Sequence, residues 1–467
     1  MRTFLKVIVF IFFCEVQESS ACTIFTASNE NTVLVGNNED NTPTLKSYLW
    51  FYPAQKSKHG FVTWGNSKKF PEGGMNEKGL FWDAAAMPNK IPIIAVKNKE
   101  NFKGYFVEKA LSECATVEEL LALVSKYNLI WQEKAQVLVA DASGDYAIIH
   151  SNYVIRKSEI KKDFFSLANY CINDPNTKTY QCHRQGFAQK VLSNNPTISV
   201  DLFKNILQKT AQTEVTNATI YSQICDLKNG SFHLYQKYNF NESKVLHLKD
   251  ELQKGERTVE IKDYFTKSIS DEVAIFFDKK NYIEATKTYE KLRDSKSDLY
   301  NFSFRALDDL GYSYLRSKKN DVAIEVFKLN LKYHPDADEA LSSLACGYLA
   351  NIDYTNAKKY FDQALSKNPN NYIALLFQPE KKGVILFKVN HFEGVEKLSL
   401  VGSFNDFKPN ANPFTKDENG VWTCEIKLSP GEYRYKLFVG DGNWYTDPLN
   451  KYLINPEKYW DNYLKVE

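Results

Sequence analysis

The amino-acid sequence predicts a multidomain protein: an α+β region at residues 22–255, α-helical repeats at 260–375 and an all-β region at 383–467. Three observations predict this fold class. The chain has 467 residues, too many for one core, since domains of roughly 100–200 residues are typical. Strand and helix patterns alternate in the first region, and apolar positions recur every 34 residues in the second. Short β-type runs fill the third region.

Residues 1–21 resemble a cleavable signal peptide. An apolar run follows a positively charged start, and the segment ends Ser19-Ser-Ala21, with small residues where signal peptidase cuts. We therefore predict export, to a bacterial periplasm or beyond. Cleavage after Ala21 would make Cys22 the amino terminus. Cysteine at this position is also the acceptor of a lipid anchor, but a lipobox usually has Leu where this chain has Ser19.

A cysteine with its own free α-amine is a nucleophile with a built-in base. The amine titrates near pKa ~8, so much of it is neutral near pH 7 and can take the thiol proton. The alternative is that Cys22 only forms a disulfide. Seven cysteines remain once Cys14 is removed, and Cys171 and Cys182 could pair. An odd count leaves at least one free thiol.

Composition excludes several classes of partner. A net charge of +2 gives no indication of a nucleic-acid or anionic-membrane partner. After the leader, no apolar stretch is long enough to span a bilayer. No Cys or His spacing is typical of a zinc site, so we predict no metal and no cofactor.

The first region is predicted to contain strands, helices, strands, helices and a final hairpin. The second half of its first helical stretch begins at Thr116, which precedes Glu119 in a capping pattern. The predicted strands are 22–27, 32–36, 48–52, 60–64, 79–82, 135–141, 146–150, 164–169, 219–225 and 231–235; the predicted helices are about 103–127, 184–194 and 199–211.

Four segments of this region carry a resemblance. They are Cys22-Thr-Ile-Phe25, Gly36-Asn-Asn-Glu-Asp40, Gly74-Met-Asn-Glu-Lys-Gly-Leu80, and Val137-Leu-Val-Ala-Asp-Ala-Ser-Gly144 with Leu167-Ala-Asn169. In this order, behind a leader that ends at a cysteine, they resemble the N-terminal nucleophile hydrolases of linear amides. That group comprises choloylglycine hydrolase, penicillin V acylase and acyl-CoA:6-aminopenicillanic acid acyltransferase. The resemblance implies an αββα sandwich, with the nucleophile at the end of a central strand and a small N-acyl amide as substrate.

The resemblance also implies roles for individual residues. Asp40 matches the aspartate that orients the new α-amine, and Asn169 matches the asparagine that stabilises the oxyanion. Arg184 lies where the family tends to place a site arginine; the alternative is an exposed cation at a helix start. The family usually has Arg where this chain has Asn37, and an amide cannot hold a carboxylate by charge, which argues against bile-salt specificity.

Asp83 is a second candidate for substrate binding, beside Asn37. It lies in the segment Phe81-Trp-Asp-Ala-Ala-Ala86, where Ala86 replaces the family's usual Asn or Tyr. The alternative is a hydrogen-bonded residue within the sheet.

The middle region contains a 34-residue repeat that resembles the tetratricopeptide pattern. An earlier, degenerate copy surrounds Ala285 and Tyr289. Such helix pairs either present a concave surface to a protein partner or space the flanking domains apart. The recurring residues are Leu310, Tyr314, Ala323, Phe327 and Pro335, followed 34 positions later by Leu344, Tyr348, Ala357, Phe361 and Pro369.

The last region resembles the glycogen-binding module of the AMP-activated protein kinase β-subunit, a family-48 carbohydrate-binding module with an immunoglobulin-like sandwich. The matching segments are Gly402-Ser-Phe-Asn-Asp-Phe407, Gly431-Glu-Tyr-Arg-Tyr-Lys436, Trp444 and Asp447-Pro448. The resemblance implies that Trp444 and Lys436 grip an α-glucan. Phe407 stands where the second tryptophan is expected, and the polar residue of the last strand falls at Asp461 or Asn462. The alternative is a purely structural domain.

Three functions follow from these observations. The first is a secreted cysteine hydrolase of linear amide bonds. The second is an acyltransferase on the same scaffold, which passes the acyl group to an amine instead of water. The third is a non-catalytic, glycan-binding scaffold protein whose first domain has lost activity.

Overall fold

A computed structural model describes residues 22–466 except 44, 67–69, 88, 174–181, 214–217, 296–297, 379–381, 391, 393–394, 441–442 and 456–459. The predicted leader, residues 1–21, lies outside the described residues. Among those described, no helix has the length and apolar character needed to cross a bilayer.

The first region consists of two sheets stacked face to face. One has six strands in the order β12-β1-β2-β13-β14-β15, and the other has eight in the order β11-β10-β9-β6-β5-β4-β3-β16. Their strands are β1 Thr23–Ser28, β2 Val33–Asn41, β3 Ser47–Tyr52, β4 Phe61–Asn66, β5 Phe70–Asn76, β6 Phe81–Ala86, β9 Ala135–Ala140, β10 Tyr146–His150, β11 Tyr153–Arg156, β12 Phe164–Leu167, β13 Ala218–Asp226, β14 Ser231–Gln236, β15 Lys244–His247 and β16 Arg257–Glu260. A short pair, β7 Glu100–Asn101 and β8 Tyr127–Asn128, lies outside them.

Helices cover the outer faces of both sheets. α4 and α5 pack on β12, β1, β2 and β13, while α1 packs on β4, β5 and β6. One apolar core fills the space between the sheets, and a further core lies under the helices on each side. The region therefore has four layers, helix–sheet–sheet–helix. Its helices are α1 Phe106–Glu113, α2 Val117–Val124, α3 Lys157–Ile160, α4 His183–Asn194, α5 Val200–Thr210 and α6 Leu248–Gln253.

The prediction of one helical stretch over about 103–127 is wrong in one respect. Two helices, α1 and α2, occupy it, and the chain breaks between them. Thr116 caps α2 by accepting a hydrogen bond from the backbone N–H of Glu119 at 3.2 Å. The Glu119 carboxylate accepts from the N–H of Ala115 at 2.6 Å. These two caps satisfy donors at a helix start, which explains why a new helix begins here.

The middle region is a stack of antiparallel helices. Alanine and aromatic positions of the repeat lie in its core: Ala323, Phe327, Ala357 and Phe361 are all buried. The elements are β17 Lys267–Ser268, α7 Ile269–Asp278, α8 Tyr282–Ser295, β18 Tyr300–Asn301, α9 Phe304–Arg316, α10 Asn320–Tyr333, α11 Asp338–Ala350, α12 Tyr354–Lys367 and α13 Tyr372–Phe377.

The last region is all β, with two antiparallel sheets. Their orders are β19-β23-β22 and β21-β20-β24-β27-β26, with β25 on β24. Its strands are β19 Val384–Val389, β20 Leu398–Gly402, β21 Asn412–Pro413, β22 Thr415–Lys416, β23 Trp422–Lys427, β24 Gly431–Val439, β25 Asn443–Tyr445, β26 Leu453–Ile454 and β27 Asp461–Val466.

Polar and aromatic contacts join the last region to the other two. Lys451 lies 2.7 Å from a carboxylate oxygen of Asp308 in α9. The imidazole of His183, at the start of α4, packs edge-on against Phe392 and Tyr445, with ring centroids 5.6 Å apart in each case. The first turn of α4 is therefore sandwiched between the α+β region and the last module.

Candidate active site around Cys22

The β1–β2 hairpin determines what faces the Cys22 thiol. Its register pairs Ser28 with Val33 and Thr23 with Asn38, so Cys22 lies opposite Glu39. Paired residues of antiparallel strands share a face. The Cys22 Sγ accordingly donates a hydrogen bond to Glu39 Oε1 at 3.0 Å.

The thiol is buried among carboxyl groups. Cys22 is only 1% exposed. Burial raises the pKa of its thiol well above the usual value, and the carboxylates of Glu39, Asp40 and Asp83 raise it further. Both effects disfavour a thiolate, since desolvation and like charges each oppose ionisation of an acid. A group that accepts the proton is therefore needed for nucleophilic attack.

Asp40 lies on the opposite face of β2 from Glu39, towards the helices. Its Oδ2 is 3.0 Å from Arg184 Nη1, and its Oδ1 accepts a hydrogen bond from Thr219 Oγ1 at 2.5 Å. The Gln212 side-chain amide also donates to Oδ2. Burial raises the pKa of Asp40 from 3.8 to about 6, although Arg184, Thr219 and Gln212 each lower it.

Arg184 connects the predicted site residues. It belongs to the first turn of α4 but is buried, 5% exposed, so the alternative of an exposed helix-start cation is wrong. Nη1 donates to Thr23 Oγ1 at 2.8 Å and approaches the Cys22 carbonyl oxygen at 3.4 Å, while Nη2 donates to Asn169 Oδ1 at 3.0 Å. One guanidinium thus joins Cys22, Asp40 and Asn169.

Asn169 lies just beyond β12, beside the start of β1. Because Ile24 pairs with Leu167 in these antiparallel strands, the residues two positions further out, Cys22 and Asn169, are neighbours. The Asn169 Nδ2 donates to the carbonyl oxygen of Ala86 at 2.9 Å. The amide is therefore held between Arg184 and the end of β6.

Asn37 and Asp83, the predicted substrate-binding residues, contact each other. Asn37 Nδ2 lies 2.8 Å from Asp83 Oδ2 and 3.3 Å from Glu39 Oε2. The indole N–H of Trp64 also donates to Asp83 Oδ2, at 3.0 Å. Both residues are fully buried, as Cys22 is.

The heptapeptide Gly74–Leu80 comprises the end of β5 and the turn that leads to β6. Asn76 Oδ1 accepts from the N–H groups of Lys78 and Leu80, at 3.0 and 2.9 Å. Its Nδ2 donates to the carbonyl oxygens of Leu111 and Cys114, both at 2.7 Å. The motif therefore anchors α1 to the β5–β6 turn.

Sequence analysis missed Glu39, Thr219 and Gln212. A signal for Glu39 was present: a four-residue turn between Ser28 and Val33 sets a register that places residue 39 opposite residue 22. Thr219 and Gln212 approach Asp40 from β13 and the end of α5, more than 170 positions away. No local pattern indicates such contacts.

No disulfide links any two of the cysteines that the structure describes. Cys171 and Cys182, which the sequence allowed to pair, are both buried and unpaired. The Sγ of Cys171 lies 3.6 Å from the hydroxyl of Tyr153. Within the same described ranges, no three or more His, Cys, Asp or Glu side chains are grouped so that they could hold a metal ion.

The predicted sugar-contacting residues lie in different environments. Trp444 is 42% exposed, and the guanidinium of Arg434 lies 5.6 Å from the centre of the half-buried Phe407 ring. Lys436 Nζ is 3.9 Å from Asp461 Oδ1. The structure contradicts sugar contact by Asn462: it is fully buried, because its amide bonds the backbone at Asp447 and Asn450.

Two known family patterns match parts of the sequence. The sequence pattern of the acyl-coenzyme A:6-aminopenicillanic acid acyl-transferase family matches residues 27–306, more than half of the chain. The chain belongs to this family. The acyl-transferase match begins five residues after Cys22 and includes Asp40, Asn169 and Arg184. A second pattern, the glycogen recognition site of AMP-activated protein kinase, matches residues 386–467.

Individual relatives resemble parts of this acyl-transferase family member. Protein PTST homolog 2, chloroplastic, of Arabidopsis thaliana is 36% identical over 70 residues, 15% of this chain and 13% of that protein. A mutant of conjugated bile acid hydrolase from Clostridium perfringens is 14% identical over 51% of this chain and 96% of that one, with a TM-score of 0.41. Penicillin V acylase from Agrobacterium tumefaciens is 17% identical over 51% and 90%, also with a TM-score of 0.41.

Proposed function

We propose that this protein is an exported cysteine hydrolase that cleaves the linear, non-peptide C–N bond of an N-acyl amide. The main support is the contact set of Arg184, which links the Cys22 backbone, the Asp40 carboxylate and the Asn169 amide. Membership of the acyl-transferase family supports acyl chemistry at this position of the fold.

The proposed mechanism proceeds through a thioester. Removal of residues 1–21 gives Cys22 a free α-amine, which Asp40 orients. The thiol attacks the amide carbonyl, and Asn169 stabilises the oxyanion together with backbone N–H groups; loss of one such donor typically lowers the rate ~10²–10³-fold. The Cys22 α-amine takes the thiol proton, passes it to the leaving nitrogen, and then activates the water that hydrolyses the thioester.

The test has two stages. Mass spectrometry of the exported protein should show a chain that begins with an unmodified Cys22; an acylated cysteine would instead indicate lipid anchoring. Hydrolysis is then measured on N-acyl amino acids, acyl homoserine lactones, penicillin V and conjugated bile acids, with Cys22→Ala as the inactive control. Activity that survives in Cys22→Ala would refute the mechanism, and no cleavage of any amide would favour the non-catalytic scaffold.

Acyl transfer is the second candidate, and the family's description favours it. A transferase passes the acyl group of the same Cys22 thioester to an amine. Incubation with an acyl-CoA and 6-aminopenicillanic acid distinguishes the two reactions. Formation of the acylated amine faster than the free acid would assign the protein as a transferase.

We also propose that the last module binds an α-glucan. The match to a glycogen recognition site and the exposed indole of Trp444 support this, because the C–H faces of sugars stack on flat aromatic rings. Retention on glycogen that is lost in Trp444→Ala would support the proposal. Equal retention of both proteins would refute it.

We infer that α9–α12 form tetratricopeptide-like pairs that act as a spacer. The contact of Lys451 with Asp308 at 2.7 Å fastens the last module to α9, which favours the spacer over a surface for a protein partner. Charge reversal at Asp308 should loosen the last module, as limited proteolysis would show. A proteolytic pattern identical to that of the wild type would count against a spacer.

A further inference from the structure

The first turn of α4 presents two adjacent side chains to different parts of the protein. Arg184 reaches into the candidate active site, where Nη1 lies 3.0 Å from Asp40 Oδ2 and Nη2 donates to Asn169 Oδ1 at 3.0 Å. Its neighbour His183 projects about 100° further round the helix axis and packs on the last module. Whatever fixes His183 therefore also fixes the backbone from which Arg184 extends.

Two aromatic rings of the last module enclose the imidazole of His183. The ring centroids of Phe392 and Tyr445 each lie 5.6 Å from the imidazole centroid, at interplanar angles of 77° and 80°. These are edge-to-face contacts, an arrangement that aromatic rings favour. The rings of Phe392 and Tyr445 are themselves 5.1 Å apart. His183, Phe392 and Tyr445 thus form one aromatic cluster beside the candidate active site.

The last module holds its two rings in place. Tyr445 belongs to β25 and pairs with Leu437 of β24. Phe392 is 7% exposed and has a φ of 73°, a backbone conformation that residues with a Cβ rarely adopt and that persists only where the surroundings impose it. Lys451 fastens the same module to α9 through Asp308, at 2.7 Å. The two rings are therefore a fixed surface against which α4 packs.

The start of α4 depends on support from outside the helix. Cys182 precedes the helix, and in the described structure its side chain caps none of the N–H groups of the first turn. A helix start without a side-chain cap is less stable than a capped one. Gln185 holds this turn on one side, by donating to the carbonyl oxygen of Ser166 at 3.3 Å. The aromatic cluster holds it on the side of the last module.

The aromatic cluster joins parts of the chain that match two different family patterns. His183 lies within the acyl-transferase match, residues 27–306, whereas Phe392 and Tyr445 lie within the glycogen-recognition match, residues 386–467. Neither match spans both sides of the contact. A catalytic contribution of this contact would therefore belong to a chain that carries both regions.

We propose that Phe392 and Tyr445 are positioning residues for the amide cleavage proposed above, on which this inference rests. They hold His183, and through the first turn of α4 they keep the Arg184 guanidinium in place. Arg184 in turn fixes Asp40, the group that orients the α-amine, so its position matters for the transition state more than for substrate binding. Weakening the aromatic cluster should therefore lower kcat with little change in KM.

A double-variant cycle on the mature protein tests this coupling. kcat and KM for penicillin V are measured for the wild type, Tyr445→Ala, Phe392→Ala, Arg184→Met and Tyr445→Ala/Arg184→Met. Tyr445→Phe is the conservative variant, because it keeps the ring. Tyr433→Ala is the matched control, because Tyr433 lies on β24 of the same module and its ring packs against Phe404, 6.1 Å away, in the contacts described.

A second measurement needs no substrate. Cys22 is only 1% exposed, so iodoacetamide labels its thiol only when the site opens locally. Arg184 Nη1 donates to Thr23 Oγ1 at 2.8 Å, so a displaced guanidinium should let the site open more often. Labelling of Cys22 is followed at pH 7.5 by mass spectrometry of the amino-terminal peptide.

We expect Tyr445→Ala and Phe392→Ala to lower kcat about 10–10²-fold, the cost of a small displacement of a catalytic geometry, while KM stays within about threefold. Both variants should label Cys22 about fivefold faster or more. Tyr445→Phe and Tyr433→Ala should match the wild type in both measurements. In the Arg184→Met background, Tyr445→Ala should have no further effect, because the guanidinium that it positions is already absent.

Two results would overturn the proposal. One is a kcat and a Cys22 labelling rate in Tyr445→Ala that equal those of the wild type. The other is a full further loss when Tyr445→Ala is added to Arg184→Met, since the ring would then act by another route. His183→Ala removes the same contact from the side of α4, with the same expected losses, and decides the matter if Tyr445→Ala fails to fold.

The outcome for the hydrolase is separate from the outcome for the aromatic cluster. If the wild type does not cleave penicillin V, the proposed function fails for this acyl group, and labelling of Cys22 still shows whether the cluster holds Arg184. If the wild type cleaves penicillin V and Tyr445→Ala matches it in kcat and labelling, the hydrolase stands and only the positioning role falls.

Discussion

Replacement of Arg184 by methionine tests the central contact of the site. The change keeps an apolar stem of similar length but removes the guanidinium beside the buried Asp40 carboxylate, 3.0 Å away. It also removes the hydrogen bonds to Thr23 and Asn169. Breaking a buried ion pair by deleting one partner is strongly destabilising, because it leaves the other charge uncompensated.

The expected loss depends on pH. In the wild type the Asp40 pKa is raised from 3.8 to about 6. A carboxyl with a raised pKa binds its proton more tightly when folded, so stability is present at low pH and lost as pH rises between these values. Above pH 6 the loss is about 3 kcal/mol. Arg184 is the largest influence that lowers this pKa, so its removal extends the loss to higher pH.

The magnitude follows from these terms. In Arg184→Met, keeping the Asp40 carboxyl neutral at pH 7.5 costs the folded state about 5 kcal/mol relative to the unfolded chain, in which the carboxyl is ionised. This cost is about 2 kcal/mol more than the cost of Asp40 in the wild type at the same pH. The lost hydrogen bonds to Thr23 and Asn169 add about 1 kcal/mol each at any pH. Arg184→Met should therefore be less stable by about 4 kcal/mol at pH 7.5 and by about 2 kcal/mol at pH 5.

Urea unfolding followed by tryptophan fluorescence at the two pH values measures the difference. The double variant Arg184→Met/Asp40→Asn has no carboxyl to ionise at this position, so its deficit relative to the single variant Asp40→Asn should be the same at pH 5 and pH 7.5. A deficit in Arg184→Met that does not change with pH would refute the reasoning, as would a double variant that keeps the full pH dependence.

The remaining predictions concern three other positions. Burial raises the pKa of Glu72 from 4.5 to about 7, so the wild type loses stability as pH rises through this window. Glu72→Gln should therefore be more stable than the wild type by up to about 3 kcal/mol at pH 8, with little difference at pH 4. Calorimetry at both pH values measures this, and equal melting temperatures at pH 8 would contradict the prediction. A Cβ on Gly73 would lie 2.3 Å from the Trp64 indole nitrogen, whereas one on Gly186 in α4 would meet nothing within 4 Å. In urea unfolding, Gly73→Ala should therefore lower the free energy of unfolding by about 1–3 kcal/mol, and Gly186→Ala should raise it by about 1 kcal/mol. Equal effects of the two changes would show that the close approach of Trp64 to Gly73 is unimportant for stability. Trp444→Ala should lose glycogen retention while its unfolding free energy changes by less than about 0.5 kcal/mol, and a large destabilisation would assign the indole a packing role.

Local sequence patterns predicted part of the fold. The strand Ser231–Gln236 lies where alternation and turn residues predicted a strand over 231–235. The prediction for 32–36 covers only the first part of the strand Val33–Asn41. The 34-residue recurrence of small and aromatic residues places Ala323 and Ala357 in the helix core. Such features follow from side-chain periodicity, which is local along the chain.

Single side chains that were aligned by motif had different outcomes. Asp40 and Asn169, aligned by motif, do lie together beside Cys22, through the guanidinium of Arg184. Asn462 was expected at a sugar site and is instead buried among backbone groups. A motif records which residue type is present, but not the face of the sheet it lies on.

The sequence by itself determined the order of the three regions, the strand–helix pattern and the candidate nucleophile Cys22, because each depends on neighbours within a few residues. Only the tertiary structure decided that Arg184 is buried between Asp40 and Asn169, and that Glu39 faces the thiol. These contacts join residues 15 to 144 positions apart. They depend on hairpin register and on how α4 packs against the six-stranded sheet, which local patterns do not specify.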